Sequence, residues 1–169
     1  RALPGNGLSA KLNGKTLLGG SMTYMKEQTA VPEALEARIH ALSEEIKAWL
    51  LPRLAEEPWL AQYGEWLHRD SYTLFYNAPA LIAVYGDPES HWYVYDGSLC
   101  TANIMLAAHA QGLGTCWIGF AESFMDRNDI KARYGVPENF RPVSLLTLGF
   151  ARGHLPEAER RTPRVFHRG

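Results

Sequence analysis

The sequence predicts one domain built of both helices and strands, and three observations carry that expectation. Residues 98–111 (SLCTANIMLAAHAQ) read as a nearly charge-free helix that stops at Gly112-Leu113-Gly114 and runs into the short apolar strand Thr115-Cys116-Trp117-Ile118-Gly119. Two more apolar runs, PALIAVY at 79–85 and VSLLTLGF at 143–150, have the length and flanking residues of buried strands. Residues 32–51 place Leu35, Ile39, Leu42, Ile46 and Trp49 at alternating steps of four and three, which is one face of a helix.

The start of the chain, residues 1–29, is rich in glycine and short polar residues and shows neither period, so it reads as irregular. It opens without Met, as a trimmed or partial chain would. Ser9-Ala10-Lys11-Leu12-Asn13-Gly14-Lys15-Thr16 approaches a phosphate loop, with Ser9 in place of the first glycine. Such a loop needs a strand before it and a helix after it, and Leu17-Leu18-Gly19-Gly20 follows instead. A solvated loop is the better reading. Pro32 suits the first position of the next helix, which ends at Pro52, with Glu36, Arg38, Glu44, Glu45 and Lys47 around the rest of the wheel.

Trp59, Tyr63, Trp66, Tyr72, Phe75 and Tyr76 crowd residues 53–77, where they line a pocket for a planar ligand or simply pack. Asp96 stands where a helix N-cap would help the stretch from Ser98, and Gly112 and Gly114 supply the freedom its end requires. A helix apolar on nearly all sides must be wrapped by its own domain or shared with a partner. Residues 123–134 form a short amphipathic helix ending before Gly135, and the tail from Leu155 is basic.

At 169 residues the chain can bury one full core and hardly two. With 46% apolar and 21% charged residues it belongs with globular proteins, and a net charge of −1 without charged blocks argues against nucleic acid or an anionic membrane as partner. Its longest apolar run falls short of a membrane span, no secretory leader is visible, and a cytoplasmic protein is expected. Cys100 and Cys116 lack CxxC spacing and read as small buried hydrophobes ahead of a disulfide or redox pair. Six histidines show no metal-ligand spacing, so no metal is expected, and no serine sits in a GxSxG elbow. Gly112-x-Gly114 follows a helix and has Trp117 where a dinucleotide fingerprint needs glycine. Such poverty of side-chain catalysis suits a protein whose bound cofactor does the chemistry.

Taken together, several motifs resemble the nitroreductase family of FMN-dependent oxidoreductases, over roughly 78–164. They are Asp96, Asn103-Ile104-Met105-Leu106-Ala107-Ala108, Gly112 through Gly119, Tyr134-Gly135-Val136-Pro137-Glu138, Leu148-Gly149-Phe150 and Arg160-Arg161-Thr162-Pro163. The resemblance implies an α+β fold, a mostly antiparallel central sheet flanked by helices, in a homodimer with the long central helix at its interface. It further implies FMN as cofactor, NAD(P)H as electron donor and a planar acceptor such as a nitroaromatic or quinone. Carried over, Trp117, Ile118 and Gly119 pack against the flavin, the Gly119 backbone N–H sits near N5, and Arg161, with Arg160 as second candidate, grips the phosphate. Ala2-Leu3-Pro4-Gly5-Asn6 resembles a family loop near the flavin, which adds Asn6, and Trp66 and Tyr72 are candidates for the substrate pocket. The family's Arg-Ser-x-Arg opening is not matched. That departure keeps a second reading open: a flavin-poor dimeric protein binding small molecules on the same fold. A flavin-fragmenting or dehalogenating relative is a third.

Overall fold

The computed structural model describes residues 2–3, 7–12, 15–19, 33–56, 58–150 and 159–166, with side chains from 37 onward. Its first elements correct the expectation of an irregular start, since Leu8, Ala10 and Leu12 alternate with Ser9 and Lys11 along a strand. Strands β1 (Ala2–Leu3), β2 (Gly7–Leu12) and β3 (Lys15–Gly19) pair antiparallel in the order β1-β2-β3. Leu12 pairs with Lys15, so only Asn13-Gly14 lies between β2 and β3, the dipeptide that two-residue hairpins favour. Gly14-Lys15-Thr16 thus leads into a strand and not a helix, which removes the phosphate-loop reading.

Helix α1 (Glu33–Leu50) follows and passes into a 3-10 turn at Leu51–Arg53 that contains Pro52. The apolar stripe does what its spacing demands: Leu42 and Ile46 are buried, and Ile39 and Trp49 pack against the same core. Lys47, which the wheel assigns to the polar side, is instead only 5% exposed. Two single-turn helices, α2 (Pro58–Ala61) and α3 (Gly64–Leu67), carry the aromatic segment.

The second sheet consists of β4 (Ala80–Gly86), β5 (Gly114–Trp117) and β6 (Arg141–Gly149), antiparallel in the order β4-β6-β5. Of the two long apolar runs only β6, in the middle, is buried on both faces; β4 is half-buried because it is an edge strand. Val84 pairs with Ser144 but Tyr85 pairs with Pro142, so Val143 is one residue extra, a bulge. The bulge lets both Val143 and Ser144 meet the long helix α4 (Tyr93–Ala110). A Cβ on Gly97 would lie 2.8 Å from Val143, and the Thr101 hydroxyl is 2.7 Å from that of Ser144. Helix α4 covers one face of the sheet. The opposite face holds the core, with Leu145 against Ile46, Phe124 and Ile130.

Helix α4 begins five residues before the expected Ser98, so Asp96 lies in its first turn and does not cap it. Trp92-Tyr93-Val94-Tyr95 are weak helix formers, which hides the true start. Ser90 Oγ accepts the Trp92 N–H there at 3.3 Å. Its end is as expected. Gly112 adopts φ 74°, with Leu113 N–H bonded to Ala108 O and Gly112 N–H to His109 O, a Schellman closure.

Residues 123–134 do not form one helix but two, α5 (Glu122–Met125) and α6 (Asn128–Arg133), parted at the extended Arg127. The polar Asp126-Arg127-Asn128 step favours side-chain bonds over helix continuation, and Arg127 forks onto Asp129. Helix α6 is closed by Gly135 at φ 69° in the same manner as α4. Cys100 is exposed and Cys116 half-buried, both as free thiols, so only Cys116 approaches the expected buried role. Among the described residues no helix is long and apolar enough to cross a membrane.

One surface tie carries a pH signature. Arg133 on α6 forks onto Glu45 of α1 at 2.6 and 3.0 Å, which holds the Glu45 carboxyl below its ordinary pKa. Since the folded value is the lower one, the stabilisation is present above the ordinary carboxylate range and disappears as pH falls through the folded value. Glu45→Gln is expected to cost about 0.5 kcal/mol at neutral pH, the worth of an exposed pair. The gap between wild type and variant in urea unfolding should shrink toward zero in acid. A gap that persists in acid would assign the effect to packing.

Candidate active site

The last residue of β5 leads the chain to the site. Ile118 is buried and its N–H extends the pairing to Leu145 O at 2.8 Å, which anchors the backbone at the sheet edge. Trp117 before it and Gly119 after it are exposed. Gly119 opens a 3-10 turn, Gly119–Ala121, that continues into α5. Being first in that turn, its N–H has no partner within the helix, and none of the described residues accepts it. A Cβ at Gly119 would meet nothing within 4 Å. Backbone is therefore open to close approach here.

Beside Gly119 is a cavity of about 480 Å³. It brings Trp117, Ile118 and Gly119 together with Trp59, Tyr63, Trp66, Tyr72 and Tyr76 of the aromatic segment, whereas Phe75 packs in the core. The rings are set edge to face: Trp66 to Tyr72 with centroids 5.8 Å apart, and Tyr72 to Tyr76 at 6.4 Å. Tyr63 meets Phe120 in the same way at 5.1 Å. Burial, then the neighbouring Tyr76 hydroxyl, pushes the Tyr72 phenol well above the usual range, so it remains a neutral donor. Burial likewise raises the Cys116 thiol, which disfavours a thiolate nucleophile. At the rim, Trp117 Nε1 donates to Glu122 Oε1 at 3.2 Å.

Helix α1 holds this wall in place, a role the sequence does not advertise. Lys47 Nζ donates to Arg69 O at 3.2 Å and Tyr72 O at 3.1 Å, and pairs with Glu44 at 3.2 Å. Ser43 Oγ, also buried, accepts the Leu74 N–H at 3.0 Å. Together they clamp the segment that carries Tyr72 into the cavity.

The remaining candidates are not gathered there. Arg160 and Arg161 are exposed in a segment without helix or strand and do not line the cavity. Asn6 lies outside the described residues. A second cavity, about 530 Å³, lies between α1, β4 and the Tyr134–Val136 turn. Its walls, among them Leu42, Leu81, Tyr134 and Leu145, include none of the residues that the sequence proposes for cofactor or substrate.

A three-stranded antiparallel sheet between helices, with a ring-lined cavity where its edge strand meets a glycine-led turn, defines an α+β protein with one aromatic pocket at a strand end. The chain belongs to the nitroreductase family, whose model matches residues 26–150. A protein of Archaeoglobus fulgidus with the provisional name NADH dehydrogenase/NAD(P)H nitroreductase is 28% identical over 76% of this chain and 83% of its own length. Among solved structures, a nitroreductase with bound FMN from Bacteroides fragilis NCTC 9343 superposes with a TM-score of 0.61 at 27% identity, covering 75% of this chain and 67% of that one. An FMN-dependent nitroreductase from Clostridium difficile R20291 gives a TM-score of 0.57 at 25% identity, covering 75% and 73%.

Proposed function

We propose that this protein is a flavin oxidoreductase that uses FMN to pass electrons from NAD(P)H to a planar acceptor. The observation that carries the reading is the cavity uniting Trp117–Gly119 with Trp66 and Tyr72. The residues present fit a flat ring: the wall is aromatic, the space beside Gly119 is open, and the Gly119 N–H is a fixed donor without an acceptor among the described residues. When bound, FMN supplies hydride acceptance from the nicotinamide and onward electron delivery. The chain's own part is to stack the ring, exclude water with Trp66 and Tyr72, and present backbone N–H already oriented before charge develops. Arg161, with Arg160 beside it, is the candidate for the phosphate, since a guanidinium forks well onto phosphate oxygens.

A homodimer belongs to the same reading. On α4, Tyr95, Leu99 and Leu106 follow one face and stay exposed, Leu99 at 64% and Leu106 at 68%. An apolar stripe of that kind on a monomer marks an interaction surface, and a second copy of α4 is the partner that fits it.

The test is direct. The purified chain, supplied with FMN, should show flavin absorbance, retain it through gel filtration, oxidise NAD(P)H and sediment as a dimer. A protein that retains no flavin supports the alternative, a dimeric small-molecule binder on this fold. Arg161→Ala is expected to weaken FMN by about 1–3 kcal/mol, the worth of a charge-assisted bond. Unchanged affinity in equilibrium dialysis would remove Arg161 from the site.

A further inference from the structure

Seven of the ten residues lining the cavity beside Gly119 are aromatic, and none of the ten carries a formal charge. Among the described residues, the charged groups that touch these rings include Glu122 and Arg69. Glu122 accepts from the Trp117 indole, placing a carboxylate at the rim and enriching that ring in electron density. Trp66 already holds one cation, since the Arg69 guanidinium stands 5.6 Å from its centroid.

The mouth is built at a cost. Tyr76 has φ 52° and Asn77 φ 56°, two successive residues in the left-handed region. Asparagine tolerates this conformation, whereas a bulky tyrosine does not. Tyr76 is 57% exposed, so burial in the core does not offset the strain. What the strained backbone achieves is to stand the Tyr76 ring edge-on to Tyr72, completing the row Trp66–Tyr72–Tyr76 along the wall.

We propose that this cavity is an aromatic box that selects a planar heteroaromatic cation, with Tyr76 as the ring that sets the preference. Ring faces attract positive charge through their quadrupole, and the ten lining residues include no Lys, Arg or His, although the Arg69 guanidinium at Trp66 opposes the attraction in part. An anionic ligand of the same shape would lose its hydration and meet only neutral donors, such as the Gly119 N–H, in return. The box rests on the reading of this cavity as the redox site, with Trp66 and Tyr72 as its substrate-pocket candidates, and adds the charge of the acceptor to it.

The probes are N-methylacridinium, acridine and acridine-9-carboxylate, one ring system in three charge states, titrated calorimetrically into the full chain. The cation is expected to bind roughly tenfold more tightly than the neutral ring, and the carboxylate weakest of all. Equal affinities, a carboxylate that binds best, or no binding of any probe would overturn the box. Tyr76→Phe should keep the ranking and Tyr76→Leu should lose most of it. Tyr76→Gly should lose it too, while raising the melting temperature, because glycine relieves the left-handed backbone. A ranking unchanged in Tyr76→Leu would take the selecting role from Tyr76. Flavin content, read by absorbance on the same preparations, separates the two claims. A flavin-free protein that ranks the cation first ends the oxidoreductase reading and leaves the box, and a flavin-loaded protein indifferent to charge does the reverse.

Discussion

Lys47→Met is expected to lower the melting temperature by about 4–8 °C, from a loss of about 2 kcal/mol in a chain of this size. Methionine keeps the apolar stem of the buried side chain, so little packing is lost and the change isolates the ammonium. That ammonium serves Tyr72 O and Arg69 O at once. Arg69 O keeps the Tyr72 N–H as a second donor at 3.1 Å, so the carbonyl of Tyr72 bears most of the loss. Lys131→Met is a useful contrast. Lys131 is still more deeply buried, at 1% exposure, and donates to Glu138 O, Phe140 O and Asp126. Yet Arg141 also reaches all three, so a substitute donor is already in place. The smaller change is therefore expected at the more buried lysine. Lys47→Met should, in addition, loosen the Tyr72 wall and weaken ligand binding in the cavity. Differential scanning calorimetry of both variants checks the order, and equal shifts would show that burial alone decides.

Where patterning is strong, the sequence is a reliable guide. Leu42 and Ile46 fall on the buried face of α1 as their spacing requires, and Gly112 and Gly135 close their helices because each needs a positive φ. Trp117–Gly119 and Trp66–Tyr72 were each marked, but only tertiary folding puts two segments some fifty residues apart around one cavity. Other features lie beyond one-dimensional patterns for specific reasons. The hairpin between β2 and β3 is signalled by Asn13-Gly14 and by the alternation Leu8-Ser9-Ala10-Lys11-Leu12, which the glycine-rich surroundings obscure. The split of residues 123–134 turns on one extended residue, Arg127, inside an otherwise apolar helical spacing. Lys47 and Lys131 look like solvated charges in any helical wheel. Their burial is decided by carbonyls of the Arg69–Tyr72 and Glu138–Phe140 turns, which no local window contains.

Gly119→Val is expected to reduce FMN retention on the order of 10- to 100-fold, the cost of forcing one to three kcal/mol of overpacking against a bound ring. It should do so with the fold nearly untouched. No positive φ demands glycine at this position, and a Cβ there meets no atom of the protein within 4 Å. Any penalty must then arise from what enters the cavity, and the stability change should remain within about 0.5 kcal/mol. Proline at the same place asks a different question. Gly119 is first in its turn, where the absence of an N–H costs the helix nothing, and Ile118 is already extended at φ −100° and ψ 90°, as a residue before proline prefers. Gly119→Pro therefore adds bulk comparable to valine while deleting the unpartnered donor. If the N–H takes part in catalysis, the proline variant should fall below the valine variant in turnover per bound flavin, not merely in flavin content. Stopped-flow reduction by NAD(P)H, normalised to flavin absorbance, makes that comparison. Two variants that differ from wild type only in occupancy would leave Gly119 as a gap for the ring and take the donor role from its backbone.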